Sequence, residues 1–66
     1  MIIYNETDAK LLTIKEVAAF LTISATSVRR LQQERYIPFI KVGGSVRFYR
    51  SDIIEFLQKR RVEAIR

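Results

Sequence analysis

Sixty-six residues, 48% of them hydrophobic, make one small domain with a thin core, since a chain this short buries only about 60% of its unfolded surface. Cysteine and histidine are absent, which excludes a disulfide framework and a zinc site of the usual Cys/His type. It also leaves acid–base or nucleophilic catalysis few candidate groups, and no carboxylate pair shows the spacing of a pocket, so neither an enzyme nor a cofactor is expected. The net charge of +5 is uneven. Residues 1–24 carry Lys10 and Lys15 against Glu6, Asp8 and Glu16. Residues 25–66 carry ten Lys or Arg (29, 30, 35, 41, 47, 50, 59, 60, 61 and 66) against acids at 34, 52, 55 and 63. A basic half of this kind suits a polyanion, because each neutralised phosphate releases condensed counterions. The alternative is a protein-interaction module whose basic face meets an acidic partner.

The longest apolar run, Val17 to Leu21, falls far short of the roughly 18 residues a membrane span needs. No charged leader precedes a secretory apolar segment. No membrane partner is expected, and the cytoplasm is the expected location.

Residues 1–12 mix Ile2, Ile3 and Tyr4 with a polar Asn5 to Lys10 stretch and keep no period, so they read as a loosely held N-terminal arm. Thr13 followed by Glu16 is a capping box, which starts a helix at Ile14. Ile14, Val17, Ala18 and Leu21 fall at i, i+3, i+4 and i+7 and form one apolar stripe. Thr22 and Ile23 break the pattern. Ser24 is an N-cap for a second helix that runs to Arg35 or Tyr36 before Pro38 stops it. At about 100° per residue, Val28 at the centre of the buried side has Leu31 and Arg35 beside it and Thr26, Arg30 and Gln33 opposite, with Arg29 at the edge. Arginine and glutamine can each make two parallel hydrogen bonds to a purine edge, and threonine offers a hydroxyl and a methyl, so this outer stripe suits base readout in double-stranded DNA.

From Phe39 to Tyr49 the period changes to two around Gly43-Gly44-Ser45, the signal of a β-hairpin. A three-residue loop pairs Val42 with Val46 and Ile40 with Phe48, apolar against apolar, and is the preferred register. It also sets Lys41 across from Arg47. Ser51 caps a third helix from Asp52, with Ile53, Phe56, Leu57 and Arg60 on the inward stripe. Lys59, Arg60 and Arg61 read as helix-end charges without a partner. Phe20, Tyr36, Phe39 and Tyr49 read as fillers between thin elements rather than stacking platforms. The domain spans 13–62 and a tail 63–66, and the fold is mainly α with a small β-hairpin.

The order of these elements resembles the excisionase-type DNA-binding domain, a small winged helix-turn-helix related to the MerR regulators. The resemblance covers Leu12 to Leu57. It is carried by Leu12-Thr13-Ile14-Lys15-Glu16-Val17-Ala18, Ile23-Ser24, Ile37-Pro38, the hairpin Lys41-Val42-Gly43-Gly44-Ser45-Val46-Arg47-Phe48, and Asp52-Ile53 with Phe56-Leu57. It implies a second helix lying in the major groove and a wing touching the backbone or minor groove. The roles then fall to Thr26, Ser27, Arg29, Arg30 and Gln33 on the helix, and to Lys41, Ser45 and Arg47 on the wing. Such domains often have glycine where Thr22 stands and a glycine or other small residue near Arg35, both places for left-handed backbone. The implied function is a sequence-specific binder of double-stranded DNA, an excisionase-like recombination directionality factor that bends attachment-site DNA. Its partners beyond the duplex are a recombinase or integrase, or further copies of itself. A small transcription regulator of a mobile element needs the same contacts and is the alternative; compactness without a sensor domain favours the first.

Overall fold

The computed structural model describes residues 10–64. Helix α1 (Ile14–Leu21) starts at the capping box. The Glu16 N–H donates to Thr13 Oγ1 at 3.1 Å, and the Thr13 N–H donates to Glu16 Oε1 at 2.9 Å. That second bond is the main cause holding the Glu16 carboxyl below its ordinary range. At the other end Thr22 adopts φ 59°. Its N–H donates to the Ala19 carbonyl at 3.3 Å, and the Ile23 N–H reaches the Ala18 carbonyl at 3.0 Å. This is the Schellman pattern, which closes a helix through one left-handed residue.

The same device ends helix α2 (Ala25–Gln33). The Arg35 N–H donates to the Gln32 carbonyl at 3.1 Å and the Tyr36 N–H to the Leu31 carbonyl at 2.9 Å, with Arg35 at φ 62°. The helix thus stops before Arg35 or Tyr36, its expected end. The left-handed residue terminates it, not Pro38, and Arg35 is exposed rather than beside Val28. Both positions where the resemblance implies left-handed backbone have it, in threonine and arginine. A non-glycine residue in that conformation costs on the order of 1 kcal/mol.

Three antiparallel strands, β1 (Leu11–Leu12), β2 (Ile40–Val42) and β3 (Ser45–Tyr49), lie in the order β1-β3-β2. Leu11 pairs with Tyr49 and Leu12 with Phe48. Leu11 and Leu12, expected in the arm, form a sheet edge instead, and Leu12 is buried. The remainder of the arm through residue 9, and residues 65–66 of the tail, lie outside the described residues. The hairpin also differs from the sequence reading. Ile40 pairs with Arg47, Lys41 with Val46 and Val42 with Ser45, so the loop is the two residues Gly43-Gly44, and Lys41 does not face Arg47. Gly43 has φ 62°, at the first loop position, where the tight II′ hairpin turn takes glycine. Phe39 supplies the packing that Ile40 was expected to give. The larger side chain goes inward and shifts the register by one.

Helix α3 (Arg50–Lys59) follows β3 without a break. The Arg50 N–H donates to the Lys10 carbonyl at 3.2 Å, which carries the sheet pairing into the first helical turn. The N-cap is therefore Tyr49, with no side-chain cap bond, and not Ser51. Leu57, expected inward, is exposed, and Arg60 lies past the helix end. The core consists of Leu12, Val17, Val28, Ile37, Phe48 and Ile53. Each comes from a different segment, and partly buried neighbours such as Ile14, Leu21, Leu31 and Phe56 pack against them. Truncating Phe48 to alanine would remove about 3–5 kcal/mol, a large share of what so small a domain holds.

Open space surrounds the Cα of both loop glycines, so conformation alone decides their tolerance. Gly43→Ala is expected to cost about 1 kcal/mol or more in urea unfolding, and Gly44→Ala clearly less. Equal costs, or the reverse order, would contradict the two-residue loop.

Candidate nucleic-acid interface

Ser24 places α2. Its Oγ accepts from the Ser27 N–H at 3.0 Å, and its hydroxyl donates to Ser27 Oγ at 2.9 Å. Ser27 is half-buried and tied into this cap. Val28 is fully buried and Leu31 packs beside it. With that side fixed, Thr26, Arg29, Arg30 and Gln33 are all exposed along the outer side. No acidic side chain stands in the first turn, so the open N–H groups at that end meet no carboxylate and suit a phosphate.

The wing is less uniform. Lys41 and Ser45 are exposed, whereas Arg47 is half-buried. The Arg47 Nη1 donates to the carbonyl of its neighbour Val46 at 2.8 Å, and its charge contributes to lowering the Glu16 pKa. In the observed register Lys41 and Arg47 project from opposite faces of the hairpin. The structure thus groups Thr26, Arg29, Arg30 and Gln33 and separates the wing cations from each other.

Two of the expected fillers, Phe20 and Tyr36, are exposed and lie against arginines. Phe20 is 45% and Tyr36 58% exposed. The Arg50 guanidinium lies 5.9 Å from the Phe20 ring centre; that of Arg60 lies 4.5 Å from Phe56 and 5.4 Å from Tyr36. Arg60, expected to be a charge without a partner, thus has two ring partners. The i, i+4 spacing of Phe56 and Arg60 was a signal for the first contact, but nothing local announces the second. Tyr36, Phe56 and Arg60 border a shallow hollow of about 380 Å³ with Pro38, Asp52, Glu55 and Lys59. Two carboxylates thus do share a hollow, which the sequence spacing had not suggested. Burial, with Glu55 nearby, raises the Asp52 pKa, while Glu55 is ion-paired to Lys59 at 3.3 Å. Among the described residues no group of His, Cys, Asp or Glu is arranged to hold a metal ion, and no helix is long and apolar enough to cross a membrane.

Three helices with a small three-stranded antiparallel sheet, its β2–β3 hairpin beside α2 in chain order, make a winged helix-turn-helix fold. Residues 11–61 match the family model described as a helix-turn-helix domain. Neither a curated protein nor a solved structure matches the chain.

Ser24→Ala removes the acceptor for the Ser27 N–H and releases the Ser27 hydroxyl. It is expected to lower stability by about 1 kcal/mol in denaturant unfolding. An unchanged midpoint would show that α2 is not held from this end.

Proposed function

The chain belongs to the helix-turn-helix domain family and so has DNA as its partner, and from that membership we propose that it is a sequence-specific binder of double-stranded DNA, acting as an excisionase-like recombination directionality factor. The observation that carries the first part is the exposed stripe Thr26, Arg29, Arg30 and Gln33 over the buried Val28. The directionality role rests on the ordered motif set from Leu12 to Leu57. Arg30, Gln33 and Thr26 read base edges in the major groove. Arg29, Ser27 and the open end of α2 hold phosphates on one side, and on the wing Lys41 and Ser45, which project from opposite faces of the hairpin, hold them separately. Arg47 keeps one nitrogen on the β3 backbone and offers the rest to the same strand. Phosphate contacts supply affinity, and base contacts supply discrimination.

Binding that bends an attachment site favours excision by a recombinase, the partner in this reading along with further copies of the chain on DNA. A recombination assay with the integrase encoded nearest the gene tests the role: addition of the chain should raise excision over integration. Unchanged direction with repression of a nearby promoter would instead favour a transcription regulator. For the contacts, footprinting DNA from the gene's own surroundings supplies a target. On it Arg30→Ala is expected to cost about 1–3 kcal/mol and to lose less on random duplex. Lys41→Ala should weaken both duplexes alike and lower the salt slope by about one unit. Identical profiles for the two variants would refute this division of labour.

A further inference from the structure

Two arginines outside the contacts proposed above belong to the C-terminal end of α2, Arg35 in the chain itself and Arg60 through its contact with the Tyr36 ring, and neither is ion-paired among the described residues. Arg35 sits at φ 62°, a conformation that favours glycine and is strained for any larger residue. The bonds that close the helix there come from backbone N–H groups, and glycine would make them equally well. The exposed guanidinium has no hydrogen bond, ion pair or ring contact among the described residues. Folding gains nothing from the side chain and bears the strain of its Cβ.

Arg60 is the cation of its cluster without an ion pair among the described residues, although Asp52 and Glu55 border the same hollow. Lys59 pairs with Glu55 at 3.3 Å and Arg61 with Glu63 at 3.6 Å. Arg60 instead lies over Phe56 and over Tyr36, the residue immediately after Arg35. Ring stacking occupies the flat face of a guanidinium and leaves its rim of N–H donors free. The rings also hold the group in place, so binding an anion freezes little further motion.

We infer that Arg35 and Arg60 form a phosphate clamp at the exit of the recognition helix, which holds the DNA backbone on the groove wall opposite that met by the Ser24 end. This rests on α2 lying in the groove. A nine-residue helix is about 13 Å long and the major groove about 12 Å wide, so a helix placed across it brings both ends near phosphates. The N-terminal end offers N–H groups. The C-terminal end offers carbonyls, whose partial charge repels phosphate, and Glu34 adds to that repulsion. Two cations at this end reverse its sign and let the second strand be held.

The test uses the full chain and a footprinted duplex, with affinity measured over a range of salt, phosphate-ethylation interference, and thermal unfolding for the wild-type chain, Arg35→Gly and Arg60→Gln. Each substitution should lower the salt slope by about 0.9 and weaken binding several-fold at low salt. Each should erase interference at the same one or two phosphates beyond the helix exit. Arg35→Gly should do so while its unfolding temperature rises, which separates lost binding from lost fold. Wild-type slope and interference pattern in both variants would overturn the clamp and leave the proposed DNA contacts standing. A wild-type chain that binds no duplex would overturn both.

Discussion

The outward face of α2 depends on one buried side chain, Val28, whose complete removal from water fixes which way every other residue of the helix points. Rotation by one position, about 100°, would carry Arg29 toward the core and Thr26 toward the rim, and no arrangement of that kind buries an apolar residue without also burying a charge. The orientation of the stripe is thus set by the cost of the alternatives. Val17 on α1 is equally buried and belongs to the same core, and the left-handed turn at Thr22 fixes how α1 gives way to α2. The interface inherits its geometry from two valines and a strained threonine.

A thin core makes that inheritance fragile and consequential. With one buried side chain from each contributing segment, a change in any of them is felt at the next element, and the sheet joins residues 36 positions apart through Leu12 and Phe48. The wing and α3 both extend directly from β3. Movement of the central strand therefore displaces Lys41, Ser45 and Arg47 together, and the half-buried Arg47 stiffens that strand by binding its own backbone. Positive charge is concentrated on elements whose positions the core determines, although among the described residues the core contains no charge itself.

Where local chemistry decides, the sequence was legible. The Thr13–Glu16 box and the Ser24 cap mark both helix starts to the residue, because each is a hydrogen bond between groups three apart. The outer stripe followed from periodicity. The hairpin register was not legible from apolar matching alone, because that matching turns Ile40 toward Phe48, whereas Phe39 packs against a core drawn from six segments. A two-residue strand such as β1 has too few positions to show a period, and it exists only because β3 offers it an edge. The start of α3 depended on the same pairing, through Lys10. The stacking of Arg60 on Tyr36 joins residues 24 positions apart, with no local pattern to announce it.

The most direct measurement is a titration of the isotopically labelled chain with duplex DNA at low ionic strength, following backbone and side-chain amides by nuclear magnetic resonance. The expected result is salt-sensitive change concentrated on Ser24 to Gln33 and on the wing around Lys41 to Ser45, with the exposed side of α1 at Lys15 and Ala19 unmoved. Change confined to α1 or to the outer side of α3, with the Arg30 and Gln33 signals still, would contradict the assignment of α2 as the element that meets DNA.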